Sequence, residues 1–87
     1  MKVRLTDHAQ LVCGERDIEL AWIEQVLNSP ESVEPDPVRR GHVLAFGSIV
    51  QRGGRMLRVV YVDRGNDRVV VTAFFDRKRT RVARQKP

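Results

Sequence analysis

Apolar side chains near the start of the chain recur at helical spacing. Leu5, Ala9 and Val12 lie three or four positions apart, which places them on one face of a helix. Thr6 stands at the start of this stripe, where a hydroxyl can accept a hydrogen bond from a free backbone N–H group. Gly14 follows the stripe and predicts the end of the helix, unless the next two residues extend it.

A second stretch, residues 19–28, has the same period. Trp22 and Val26 lie four positions apart on its apolar face, and a proline two positions after the stretch predicts its stop. The segment 29–42 contains three prolines, so we expect a loop there with at most a short edge strand at 32–34.

Three apolar runs separated by turn formers occupy the second half of the chain. They are rich in β-branched and aromatic side chains, which suit the pleated surface of a strand. The glycine pair at 53–54 predicts a two-residue hairpin turn, because glycine adopts positive φ readily. The sequence DRGND at 63–67 predicts a longer turn. The three predicted strands are residues 42–51, 55–62 and 68–75.

Two helices followed by a meander predict an α+β fold. Both N-terminal helices are expected on one face of an antiparallel sheet of three to four strands, because helices this short need packing to persist. A chain of 87 residues has room for one such domain. We place that domain at residues 1–75 and treat residues 76–87 as a basic C-terminal tail.

The net charge of +5 resides in this tail. Residues 76–87 hold six Lys or Arg and one Asp, whereas residues 1–75 hold ten basic and ten acidic side chains. Cations near phosphates release condensed counterions, so the tail favours RNA or another polyanion, or an acidic protein. Terminal charge runs are also typical of disordered solubilising ends, and a helix that forms on binding is the alternative. The candidate nucleic-acid-binding residues are Lys78, Arg79, Arg81, Arg84 and Lys86.

Several classes of site find no support in the sequence. Cys13 is the only cysteine, which excludes an internal disulfide and a multi-cysteine metal centre. Phosphate-binding glycine loops, dinucleotide signatures and HExxH helices are missing, so we expect no metal and no cofactor. The charged segment 1–8 does not resemble a signal peptide, and no apolar run reaches the roughly 18 residues of a membrane span. We therefore expect a cytoplasmic protein with no membrane partner.

Arg58 and His8 are the residues whose placement invites chemistry. Arg58 shares its predicted strand face with Met56 and Val60, and an unpaired charge buried there costs several kcal/mol. It therefore either pairs with an acid or lies on an open face, where its guanidinium can hold phosphate oxygens. His8 stands in the first helical turn, either as an ordinary surface residue or as a general acid–base with a near-neutral pKa.

Four short segments resemble a known bacterial family. They are HA at 8–9, ERDI at 15–18, NSPE at 28–31 and VVVTAF at 69–74. In order and spacing they resemble the domain-of-unknown-function family numbered 4258, over residues 5–75. That family is regarded as a distant relative of RelE/ParE-type toxins within the barnase- and RelE-like folds. The resemblance implies two helices followed by a sheet, and an RNA-cleaving ancestry.

The resemblance also suggests site residues. His8 and Arg16 match recurring polar positions around the family's first helix, and Arg58 lies on a strand where the toxin relatives display basic residues. RelE-like enzymes often use a late Arg, Lys, Tyr or His, and only the stretch at 77–79 offers a counterpart here. The implied activity is a metal-free endoribonuclease of a toxin–antitoxin system, inhibited by an acidic antitoxin-like protein. Its catalytic candidates are His8, Arg16, Arg58 and Arg77.

Two functions therefore remain open from the sequence. In the endoribonuclease, His8 moves protons while the three arginines stabilise the charge that develops on the phosphate. The alternative is a non-catalytic RNA- or protein-binding module that uses the basic tail and a sheet face. An exposed sheet edge also offers a site for a homodimer.

Overall fold

The computed structural model describes residues 2–85, and within them the chain forms three helices and five strands. The predicted α+β class is confirmed, whereas the sheet has five strands instead of three to four. A short 3-10 turn covers Val50–Arg52. The elements in chain order are β1 Lys2–Leu5, α1 Asp7–Glu15, α2 Leu20–Asn28, β2 Ser32–Pro35, β3 Val43–Ile49, β4 Arg55–Arg64, β5 Asp67–Phe75 and α3 Arg77–Gln85.

The strands lie in the order β1-β5-β4-β3-β2. Strands β2 to β5 form the antiparallel meander, and β1 pairs in parallel with β5 at the far edge. Leu5, which we assigned to the first helical stripe, belongs to β1 and lies opposite Val70. The assignment was wrong because β1 has only four residues, and its pairing partner is remote in sequence.

The two hairpin connections are the reverse of those expected. Ile49 pairs with Arg55, so five residues separate β3 from β4, and Gly53 and Gly54 lie at the end of a 3-10 turn with φ of 64° and 78°. The connection between β4 and β5 is the tight one, with only Gly65 and Asn66 between the paired Arg64 and Asp67.

Helix α1 begins as predicted and ends later than Gly14. The Thr6 hydroxyl accepts the Ala9 N–H at 3.1 Å, and the helix runs through Gly14 to Glu15. Its end is a Schellman motif in which the N–H of Ile18 bonds the Cys13 carbonyl at 2.9 Å. Asp17 takes the left-handed position of this motif with φ of 53°, where glycine is the usual residue.

One face of the sheet packs against α1 and α2 in the larger core. Trp22, Ile23 and Val26 from α2 are buried there with strand residues that include Leu57 and Val59. Helix α2 approaches β3 closely, because a Cβ added at Gly47 would lie 3.0 Å from the Val26 side chain. This close approach requires the smallest residue.

The other face packs against α3, so the basic segment after residue 75 is more than an appended tail. Phe46, Met56 and Val60 are buried on this face, with Ala83 of α3 packed against them. The Met56 N–H donates to the hydroxyl of Thr80 at 2.8 Å, and Thr80 is only 7% exposed. Strand β4 thus holds α3 through its backbone.

Candidate functional site

Six arginines line two adjoining cavities at one end of the sheet. We name this surface, together with Phe74 and Phe75, the arginine face. The first cavity, of about 340 Å³, is lined by Arg16, Arg52, Arg55, Arg77, Phe74 and Phe75. The second, of about 580 Å³, is lined by Arg55, Arg77, Thr80, Arg81, Arg84 and Gln85. The two cavities share Arg55 and Arg77, so the surface is continuous.

The fold brings these arginines together from separate elements. Arg16 caps the end of α1, Arg52 lies in the 3-10 turn, and Arg55 begins β4. Because α3 follows β5 directly, its first turn lies beside the start of β4. Three of its four arginines occupy positions i, i+4 and i+7, which place them on one side of the helix: Arg77, Arg81 and Arg84.

The charges of the arginine face are not neutralised by ion pairs within residues 2–85. The ion pairs there join other arginines to carboxylates: Arg4–Asp67, Arg58–Asp76, Arg68–Asp63 and Arg79–Glu34. Neither cavity of the arginine face has an Asp or Glu among its described lining residues. A concave surface of one sign concentrates the electrostatic field and attracts anions.

Neutral groups hold several of these side chains in place. Arg16 Nη1 donates to the Ala73 carbonyl at 2.8 Å, and Arg52 Nη2 donates to the Asp17 carbonyl at 2.8 Å. The guanidinium of Arg55 lies 4.7 Å from the centre of the Phe75 ring. Each guanidinium carries five N–H donors, so one bond to a carbonyl orients it and leaves donors for a ligand. These contacts hold the arginine side chains in place and leave their positive charges unneutralised.

Arg58 lines neither cavity of the arginine face, although its guanidinium contacts the ring of Phe74. Its guanidinium stands between the rings of Phe46 and Phe74, at 5.3 and 5.0 Å, and pairs with Asp76 at 2.7 Å. Pairing with an acid was one of the two expectations for Arg58, and the structure shows that pair. The Nε of Arg58 is buried without a hydrogen-bond partner among the described residues. Arg58 lines a cavity that also contains three carboxylates, those of Glu34, Asp36 and Asp76.

His8 also lies outside the arginine face. It is exposed in the first turn of α1 and precedes Arg16 by eight residues, which corresponds to about 12 Å along a helix. It is absent from the lining residues of both cavities. Of the four catalytic candidates, the structure brings Arg16 and Arg77 to one cavity and places His8 and Arg58 elsewhere.

The candidate nucleic-acid-binding residues divide between two sides of α3. Arg81 and Arg84 lie on the arginine face, whereas Lys78 and Arg79 line the cavity that contains Arg58. Arg79 pairs with Glu34 and stacks on the Phe46 ring at 4.1 Å, so its charge is already engaged. Lys86 lies outside the described residues.

Sequence reasoning missed Arg52 and Arg55. They flank the two glycines in the segment RGGR, which by itself predicts only a turn. Their role emerges from the 3-10 turn, which directs both side chains toward Phe75, at 5.8 and 4.7 Å from the ring centre. Arginines on both sides of a glycine pair are therefore a signal for a basic surface.

Groups suited to nucleophilic or acid–base chemistry are sparse near the arginine face. Burial raises the pKa of the Cys13 thiol, and the nearby charge of Arg16 offsets this only in part. A thiol with a raised pKa is a poor nucleophile at neutral pH. Tyr61 is 5% exposed and lies in the larger core, with Arg68 over its ring. Among residues 2–85 no three His, Cys, Asp or Glu side chains are grouped to hold a metal ion.

A protein-family comparison gives the relationship of the chain. The family described as a domain of unknown function, DUF4258, matches residues 5–75. The chain belongs to this family. The match includes Arg16, Arg52 and Arg55 of the arginine face, whereas α3 with the other three arginines follows the matched part of the DUF4258 domain. No curated protein and no solved structure gives a significant match to the chain. Within residues 2–85, no helix is both long and apolar enough to span a membrane.

Proposed function

We propose that this DUF4258 protein is a non-catalytic module that binds single-stranded RNA on its arginine face. The observation that carries the proposal is the continuous group of six arginines with no ion-pair partner among the described residues. Contacts of Lys and Arg with phosphates supply essentially all of the sequence-independent affinity of a protein for nucleic acid. A surface with this charge therefore favours a polyanion as its ligand.

The shape and chemistry of the face favour a single strand. The arginines of α3 extend over about 10 Å, from Arg77 to Arg84, and can follow a short run of phosphates. Phe74 and Phe75 are half-buried at one end of this run, and guanidiniums lie over their rings: Arg16 over Phe74, and Arg52 and Arg55 over Phe75. Guanidinium planes also accept stacked bases. Bases are free to stack on a protein only when the strand is unpaired. The ancestry implied by the resemblance to RelE-type toxins favours RNA over DNA.

The same geometry supports binding without cleavage. Metal-free cleavage of RNA needs a base near the ribose 2′-OH and an acid near the leaving oxygen, each within hydrogen-bond reach. His8, the acid–base candidate, is about 12 Å along α1 from Arg16. The arginines can bind and polarise a phosphate, and we expect the bound RNA to remain intact.

A monomer is the expected binding unit. The two edge strands have four residues each, and β2 contains Pro35 while β1 carries Lys2 and Arg4. Short edges with proline and cations discourage strand pairing between copies. Size-exclusion chromatography with light scattering at increasing concentration tests this expectation, and a concentration-dependent dimer would contradict it.

RNA binding is tested by fluorescence anisotropy with a labelled, unstructured RNA of about 12 nucleotides. If each of the six arginines neutralises one phosphate, log K falls against log salt with a slope of about −4. Arg81→Gln should weaken binding and reduce the size of the slope by about 0.7. Gel analysis of the same samples should show uncleaved RNA.

Arg64→Gln is the matched control. Arg64 is exposed at the far end of β4, nine residues from Arg55, which is about 30 Å along a strand and beyond the screening length at physiological salt. It should leave affinity and slope nearly unchanged. Equal losses in both variants would point to general charge attraction and contradict a defined face. RNA cleavage that is lost in Arg16→Gln would instead support the endoribonuclease.

A further inference from the structure

The two cavities of the arginine face differ in their chemistry. The second cavity includes Thr80 and Gln85 and follows the length of α3. The first is lined by four guanidiniums and two aromatic rings alone. It is an open depression of about 340 Å³, wide enough to receive a phosphate group from solvent. The positive charge is therefore most concentrated at one end of the surface.

We infer that the first cavity binds a terminal phosphate monoester of the RNA strand, so that the module recognises strand ends. The inference rests on the proposed RNA binding and adds a preference to it. The terminal nucleotide lies in the first cavity against its guanidinium planes, and the following phosphates continue along the arginines of α3. The ligand is thus defined as a strand that carries a phosphate at its end.

Charge matching favours an end over an internal phosphate. An internal phosphodiester carries one negative charge and two free oxygens, whereas a monoester carries a charge of about −1.5 to −2 at pH 7 and three acceptor oxygens. Arg16 and Arg52 are held at the cavity by the Ala73 and Asp17 carbonyls, and these neutral contacts leave the mutual repulsion of the guanidiniums uncompensated. A dianion relieves that repulsion better than a monoanion does.

The surroundings of Arg16 also favour an end. Glu15 and Asp17 flank Arg16 in the sequence, both are exposed, and neither carboxylate takes part in an ion pair among residues 2–85. The residues next to Arg16 in the chain therefore carry negative charge, which does not favour a further phosphate beside Arg16. The positive surface continues instead in the other direction, through Arg55 and Arg77 to α3.

The test compares four RNAs of one sequence: with a 5′-phosphate, with a 3′-phosphate, with hydroxyls at both ends, and closed into a circle. We expect one phosphorylated end to bind at least about tenfold more tightly than the hydroxyl and circular forms, because an added hydrogen bond to a charged group is worth about that factor. The preference should shrink near pH 5, since the second ionisation of a phosphate monoester lies near pH 6.

Variants separate the contribution of the first cavity from that of the arginines along α3. Arg52→Gln and Arg16→Gln should each reduce the ratio of the affinities for phosphorylated and hydroxyl RNA. Two variants are used so that the test still holds if one of them fails to fold. Arg81→Gln should weaken all four RNAs by a similar factor and keep the ratio. Equal binding of all four RNAs to the wild type would overturn the end preference and leave RNA binding in place. Failure of all four to bind would overturn both proposals.

Discussion

Asp76 joins α3 to the sheet, and replacing it with alanine tests whether the basic segment is part of the folded domain. One carboxylate oxygen accepts the Arg79 N–H at 2.9 Å and caps the helix, and the other accepts Arg58 Nη2 at 2.7 Å. Asp76 is 8% exposed, so water replaces little of what the substitution removes. Both contacts are lost together in Asp76→Ala.

The expected cost is about 3 kcal/mol. Loss of a helix N-cap costs about 1 kcal/mol, and a hydrogen bond between charged groups contributes about 1.5–3 kcal/mol. A domain of this length has a free energy of unfolding of about 4–13 kcal/mol, so this is a large fraction of the total. At about 4–8 °C for each kcal/mol, the melting temperature should fall by more than about 10 °C.

Urea unfolding followed by the fluorescence of Trp22, the single tryptophan, measures the effect in a buried part of the larger core. Asp76→Asn keeps a capping group and should lose about 1 kcal/mol less than Asp76→Ala. In a double-mutant cycle, Arg58→Met should cost less in the Asp76→Ala background than in the wild type.

Asp63→Ala is the control, because Asp63 forms an ion pair with Arg68 while its side chain is 57% exposed. Exposed pairs of this kind contribute at most about 1 kcal/mol. If Asp76→Ala lowered the free energy of unfolding no more than Asp63→Ala does, the inference that Asp76 holds α3 on the sheet would be refuted.

Three further predictions concern stability. Asp17→Gly should stabilise the domain by about 1 kcal/mol in urea unfolding, because the left-handed conformation costs a residue with a Cβ about that much; a loss of stability would contradict this. Gly47→Val should destabilise it by more than about 1 kcal/mol, because the new side chain meets Val26, and an unchanged melting temperature would show that α2 can shift. Hydrogen bonds from Ser48 lower the pKa of Glu31; burial alone raises the pKa of Asp76, but bonds from Arg79 and Arg58 leave it below its usual value. Both carboxylates therefore stabilise the fold above the unfolded-state pKa of about 4, and this contribution should vanish as the pH falls through their folded pKa values. In Asp76→Asn, the free energy of unfolding should depend less steeply on pH over this range.

Local sequence patterns predicted the elements whose signal is contained within them. The α2 stripe, the Thr6 cap and the three long strands follow from spacing and from β-branched runs. The sequence pattern did not predict β1, because four residues carry little periodicity. The sequence of α3 fits both a disordered end and a helix that forms on binding, because only Thr80 and Ala83 mark its packed side.

Contacts between remote residues set the rest. The register shifts between Val60 and Tyr61, which lie opposite Thr72 and Val70. Simple alternation predicts that Thr72 and Val70 share a face of the sheet. Because of the register shift, they lie on opposite faces. The sequence did not predict the candidate site for a similar reason. Arg52 and Arg55 join Arg16 and Arg77 only because α1, the 3-10 turn and α3 meet at one end of the sheet.

The central claim is that RNA binds on the arginine face, and an NMR titration tests it most directly. The ¹H–¹⁵N signals of the arginine side chains report on each guanidinium during addition of single-stranded RNA. We expect the largest shifts at Arg55, Arg77 and Arg81, with little change at Arg58 and Arg79, which are engaged by carboxylates. Shifts centred on Arg58 and Arg79, or no shifts at all, would contradict the account.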